Sequence, residues 1–201
     1  TSAREIYDDA TAALQQDDFS VLALLKRMNV EVVCTTDDPT DDLGYHKQFA
    51  KQKAGIRMFP TFRPDKTFAA ENPKTYNEYL EKLGGAANVS IATFVDLLTA
   101  LKKGIEFFDS LGCRASDHGL EYLYFTPDAM AKAPATFKKV RSGTTLDQFE
   151  LLQLKCAALT ELCRQYHAMG WVQQFHLGVR EPHALQQPDP RRVLEGGAHE
   201  E

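Results

Sequence analysis

Four short stretches carry side chains that could bind an anion or move a proton, and each comes at the end of a β-branched or aromatic run. Val30 to Asp38 reads Val-Glu-Val-Val-Cys-Thr-Thr-Asp-Asp and is closed by Pro39, and Ile56 to Asp65 ends in Phe-Arg-Pro-Asp. Gly112 to His118 ends in Ser-Asp-His, and Trp171 to Gly178 ends in Phe-His-Leu-Gly. Arg63 offers a planar fork that suits a carboxylate, although an ion pair with Asp65 or Asp38 would use the same charge. Thr36, Asp37 and Asp38 could hydrogen-bond hydroxyl groups, or one carboxylate could act as a base; a turn held by aspartate side chains ahead of Pro39 is the alternative. Asp117 beside His118 could orient an imidazole for proton transfer, or simply cap the end of a strand. His176 lies two residues before Gly178, where a ligand could approach closely, and it too could be hydrogen-bonded structure near a core. A metal site would need further ligands nearby, and the sequence has no His-x-His and no His-Glu-x-x-His.

Side chains of this kind need elements that bring them to one place. The four runs read as buried strands that open into polar residues at the same end, and each is separated from the next by helical sequence. That pattern predicts an α/β chain of about four parallel βα units, with long helical insertions and a site along one rim. Ser2 and Glu5 form a capping-box pattern ahead of a stripe of Ile6, Ala10, Ala13 and Leu14, and a second helix spans about Phe19 to Met28. Residues after Pro39 through about Lys51 should be helical, with Asp41 and Asp42 near a positive helix end. Pro60 predicts a bulge or an end to regular pairing in the second strand. Thr75 and Glu78 suggest a capped helix stopped by Gly84-Gly85, and Ile91 to Leu111 a longer one. Pro127 and Pro134 should break Tyr122 to Lys139 into pieces. Thr145 opens a long helix to Met169, with Phe149 on its apolar stripe. Residues 1–178 therefore form one domain, and 179–201, with three prolines and a Gly-Gly pair, a loop or disordered tail.

Composition sets the outer limits. The chain has 201 residues, 43% of them hydrophobic and 25% charged, enough for one substantial core. A net charge of −5 without a basic run gives no support for binding nucleic acid or an anionic membrane. No apolar stretch approaches the roughly 20 residues of a membrane span, and the first residues lack the pattern of a signal peptide. Cys156 and Cys163 lie about 10 Å apart along one predicted helix, too far to bridge, so a reduced, cytoplasmic compartment is expected.

Taken together, Cys34 to Pro39, Phe62 to Lys66, Gly112 to His118 and Gly170 to Gly178 closely resemble the uronate (glucuronate) isomerase family, in order and over nearly all of Ser2 to Gly178. The resemblance implies a distorted (β/α)8 barrel of the metal-dependent amidohydrolase type. It also implies interconversion of aldose and ketose hexuronates: glucuronate with fructuronate, and galacturonate with tagaturonate. Arg63 and His176 match active-site positions of that family and would be the catalytic pair. Thr36, Asp37, Asp38, Asp117 and His118 would line the substrate site. Arg180 approximates a further arginine but follows Val179 directly, one residue short of the family spacing. The family's divalent metal, zinc foremost, is held by a His-x-His after the first barrel strand and an Asp after the last. Neither occurs in these residues, which correspond to strands two to five. A complete barrel needs about 250 residues, so the chain reads as an internal piece of an enzyme. A homo-oligomer fits this picture. A metal-dependent hydrolase of the same superfamily, and a non-catalytic sugar-acid-binding or degenerate relative, stay open as alternatives.

Overall fold

A computed structural model describes residues 2–52 and 54–178; the expected tail and Arg180 lie outside them. In chain order the elements are α1 (Ala3–Leu14), α2 (Val21–Arg27), β1 (Val32–Cys34), α3 (Gly44–Lys51), β2 (Arg57–Phe59), α4 (Pro73–Ala87), α5 (Phe94–Ser110), β3 (Ala115–Leu120), α6 (Ala129–Arg141), α7 (Gln148–Met169) and β4 (Val172–Leu177), with 3₁₀ turns at Asp17–Phe19 and Asp65–Phe68. β1 pairs with β2, and β3 with β4, both in parallel. Single parallel bridges Asp37↔Phe62 and Phe62↔Ser116 join the two pairs. The strands therefore lie side by side in chain order, with helical crossovers between them, as parallel pairing demands. Regular β2 pairing stops at Phe59, immediately before Pro60, which has no N–H to give, and resumes only at Phe62.

Phe62 is the residue on which this arrangement closes. Its backbone bridges both neighbours while its ring, fully buried, meets Phe108 at 5.0 Å and Tyr166 and Trp171 at 6.1 Å, all edge-on. α5 can come this close because a Cβ at Gly104 would already stand 3.3 Å from the Phe62 ring. Phe62→Ala is expected to cost about 3–5 kcal/mol through lost burial and the cavity it leaves. A urea midpoint that moves by less than about 1 kcal/mol at an unchanged slope would remove Phe62 from the centre of the core.

Several helix boundaries differ from the sequence expectations, and each difference has a local cause. α4 is capped by Asn72, with Pro73 in its first turn, rather than by Thr75, and it runs through Gly84-Gly85 to end at left-handed Asn88 (φ 50°). Gly84 serves close approach instead of termination: a Cβ there would lie 2.6 Å from the Val89 carbonyl oxygen. α6 is continuous through Pro134, because one missing bond to the carbonyl four residues back is offset by burial of Ala133, Phe137 and Val140. α7 starts three residues after Thr145, at an Asp147–Glu150 capping box, and Phe149 points outward at 59% exposure. α1 forms with its Ser2–Glu5 capping box, yet none of its residues is buried; Ile6 and Leu14 face solvent. The four cysteines are free, and among the described residues no helix is long and apolar enough to cross a membrane.

Candidate functional site

Strand parity decides which polar residues meet. In the register of β3 and β4, Asp117 stands opposite Gln174 and Gly119 opposite His176. Side chains alternate along a strand, so these four positions share one face, and Ser116, His118, Gln173 and Phe175 occupy the other. The first face is polar. The second packs on α7: the His118 ring stacks on Phe175 at 5.4 Å and 18°, with Tyr166 at 5.7 Å and Phe68 at 6.0 Å.

His118 is therefore not in the substrate site with Asp117. It is fully buried in an aromatic pocket behind the sheet, since two consecutive residues of a paired strand cannot face the same side. Nor do Asp117 and His118 cap the strand; both lie inside it.

Asp117 is the hub of the polar face, with a side chain only 6% exposed. Oδ1 lies 2.9 Å from His176 Nε2 and 3.3 Å from Gln174 Nε2. Oδ2 accepts from Thr36 Oγ1 at 3.3 Å and lies 3.7 Å from Arg63 Nη1. Thr36, Arg63 and His176, separated by more than a hundred residues in sequence, thus converge on one carboxylate. The His176 ring remains 48% exposed.

One nitrogen of His176 has two claimants, since Nε2 is also 2.8 Å from Gln174 Nε2. An Nδ1–H imidazole could accept from Gln174 but would set its own lone pair against that of Asp117. An Nε2–H imidazole donates to the carboxylate, the stronger, charge-assisted contact, and leaves Gln174 to donate to Asp117. The second arrangement is favoured, and it leaves Nδ1 with a lone pair able to take up a proton.

Arg63 does form the ion pair that its sequence neighbours suggested, with Nε donating to Asp65 Oδ2 at 2.8 Å. The same oxygen accepts the Gly119 amide at 2.9 Å, and His118 Nδ1 comes to 3.4 Å from Oδ1 without a hydrogen bond between them. Burial would push the Asp65 carboxyl up, but the adjacent His118 ring and the N–H donors of Gly119 and Arg63 outweigh it and hold the carboxyl below its usual range.

Asp37 and Asp38 are drawn elsewhere. Asp37 accepts from Thr35 Oγ1 at 2.6 Å, and His46 of α3 lies 2.7 Å from that same hydroxyl, so Asp37 faces α3 rather than Asp117. Asp38 is consumed by its own turn and by its neighbours. Its carboxylate accepts from the Thr40 amide and hydroxyl at 3.0 and 2.8 Å, pairs with Lys66 at 3.1 Å and receives the Tyr79 hydroxyl at 3.3 Å. Burial, and then the charge of Asp38, drive the Tyr79 hydroxyl upward, so it stays a donor. Asp38 thus holds the turn around Pro39, whereas Asp37 does not. Arg180 lies outside the described residues.

Gln174, Asp65 and Gly119 complete the site beyond the residues expected from the sequence. Gln174 and Gly119 were within reach of the sequence, being two residues from His176 and Asp117 on their strands. The contact of Asp65 with β3 depends on register and carried no signal in the sequence.

Among the described residues no group of three or more His, Cys, Asp or Glu side chains could hold a metal ion. These residues thus do not form the cage that a catalytic divalent metal requires.

Comparison with known proteins gives a consistent result. A family model for glucuronate isomerase matches residues 1–186. A uronate isomerase of Flavobacterium johnsoniae is 45% identical over 178 residues, and one of Bacteroides thetaiotaomicron 44% identical; each alignment covers 89% of this chain. The chain spans 38% of the length of these curated relatives. Among solved structures, glucuronate isomerase from Caulobacter crescentus superposes with a TM-score of 0.79 at 25% identity, covering 88% of this chain and 36% of that one. Uronate isomerase from Thermotoga maritima gives 0.70 at 34% identity, covering 78% of this chain and 34% of that one.

Proposed function

Because this chain belongs to the glucuronate isomerase family, we propose that it supplies one wall of the active site of an aldose–ketose isomerase acting on hexuronates, glucuronate to fructuronate and galacturonate to tagaturonate. Its four parallel strands, in chain order with helices between, are read as the second to fifth strands of a (β/α)8 barrel. The observation that carries the proposal is the convergence of Arg63 and His176 on Asp117 at the polar face.

Isomerisation moves a proton between C1 and C2 and redistributes protons on the two oxygens, while the remote carboxylate of the sugar acid needs an anchor. Arg63 holds that carboxylate, or the oxyanion that develops on the enediolate. His176, its Nε2–H fixed on Asp117, takes the proton of the C2 hydroxyl at Nδ1 and returns it to the C1 oxygen, with the buried carboxylate behind the ring; the transfer of the carbon-bound proton from C2 to C1 needs a base from the rest of the barrel. Thr36 and Gln174 keep Asp117 in place, and the Thr36 hydroxyl lies beside the path of the sugar hydroxyls. When bound, a divalent metal would polarise the carbonyl oxygen. Among the described residues no group of three or more His, Cys, Asp or Glu side chains is placed to hold it.

Titration of this chain with glucuronate and with glucose, followed by NMR, tests the reading. Resonances of Arg63, Asp117, Gln174 and His176 should move with glucuronate and not with glucose. Equal response to both sugars would show that no carboxylate is being recognised and would end the proposal.

A further inference from the structure

The guanidinium of Arg63 has company that a simple anion-binding arginine does not need. Its Nε is bonded to Asp65 at 2.8 Å, and the acceptor oxygen is itself fixed by the Gly119 amide of β3 at 2.9 Å. The other carboxylate oxygen faces the fully buried His118 at 3.4 Å. His118 cannot turn away: Phe175, Phe68 and Tyr166 surround the ring. On the opposite side, the guanidinium lies directly over β3. A Cβ at Gly119 would stand 2.6 Å from Arg63 Nη2 and 3.4 Å from Asp65 Oδ2, so no residue with a side chain fits there without displacing the arginine.

We propose that Asp65 is a positioning residue that clamps Arg63 through Nε and so aims its terminal nitrogens at the polar face beside Asp117. Gly119 provides the clearance this needs, and the buried His118 ring lies 3.4 Å from the other carboxylate oxygen. The clamp rests on the reading that Arg63 binds the substrate carboxylate, and it explains two features which that reading leaves unaddressed. Arginine has many rotamers, and holding Nε removes most of them before substrate arrives, so less entropy is lost on binding. A glycine at 119, where any side chain would displace the guanidinium, also gains a purpose. The low-lying carboxyl of Asp65 is consistent with a group that stays ionised to do this.

The experiment uses the whole chain and two readouts: the ¹⁵N-resolved Nε–H resonance of Arg63, and affinity for glucuronate by titration. In the unaltered protein the Nε–H should exchange slowly with water. Asp65→Ala and Gly119→Ala should each make it exchange fast and weaken glucuronate at least tenfold. Asp65→Asn, which keeps an acceptor oxygen, should restore part of the loss. Gly119→Ala changes no charge and leaves the Asp65 side chain in place, so it separates aim from electrostatics; melting curves of all variants report whether they fold. Slow exchange that persists in Asp65→Ala overturns the clamp whatever happens to affinity. Glucuronate affinity unchanged in Arg63→Ala, with fast exchange in Asp65→Ala, supports the clamp and overturns the carboxylate reading of the site instead.

Discussion

Arg63→Ala, made in a full-length relative carrying this segment, is expected to lower glucuronate turnover by at least about 100-fold, the scale on which a positioned electrostatic group acts. The side chain is held at Nε by Asp65 and approaches Asp117 through Nη1, so its fork is fixed before substrate binds. If the arginine holds the substrate carboxylate, the loss falls mainly on KM; if it steadies the enediolate, kcat and kcat/KM fall together. Arg63→Lys keeps the charge but loses the fork and the Nε contact, and should recover only part of the activity. Ketose formation, followed spectroscopically at several glucuronate concentrations, decides the matter. Near-normal rates in Arg63→Ala would remove this residue from the site.

Asp117→Asn should be nearly as damaging as His176→Ala, with kcat down by about 10²–10⁴ in the same background. The amide differs from the carboxylate by a few atoms but reverses the hydrogen bonding. Asparagine can turn an N–H toward His176 Nε2, which then accepts, and the ring proton moves to Nδ1, the nitrogen proposed to take up substrate protons. It also deprives Arg63 and the protonated imidazole of a buried negative neighbour. Thermal melting of the variant checks that it folds; the Thr36 hydroxyl can still donate to the remaining amide oxygen. If Asp117→Asn turns over normally while His176→Ala does not, the carboxylate has no part in orienting the ring, and the convergence on Asp117 is only packing.

The role of Asp117 shows where reading along the chain falls short. Asp117 and His118 are neighbours in sequence and looked like partners; in a paired strand they face opposite sides. The histidine that Asp117 orients is His176, 59 residues later, brought into place by the Asp117↔Gln174 and Gly119↔His176 register. Asp37 turns away from Asp117 toward α3 and His46, while Asp38 is engaged by its own turn, Lys66 and Tyr79.

What the residues alone determined is what short-range physics controls. β-branched runs ending in polar residues marked the four strands. The Ser2–Glu5 pair gave the cap of α1, Gly170 (φ 69°) the stop of α7, and Pro60 the interruption after β2. Those outcomes depend on contacts within a few residues, and composition carries them. The motifs around Arg63 and His176 likewise carried the family likeness. The tertiary structure alone decided which face each polar side chain joins, that Gly84 and Pro134 sit inside helices, and that Asp65 and Gly119 hold Arg63. Those choices turn on strand register and on which surfaces are buried against one another, and a single shift of pairing would reverse them while leaving every local preference intact.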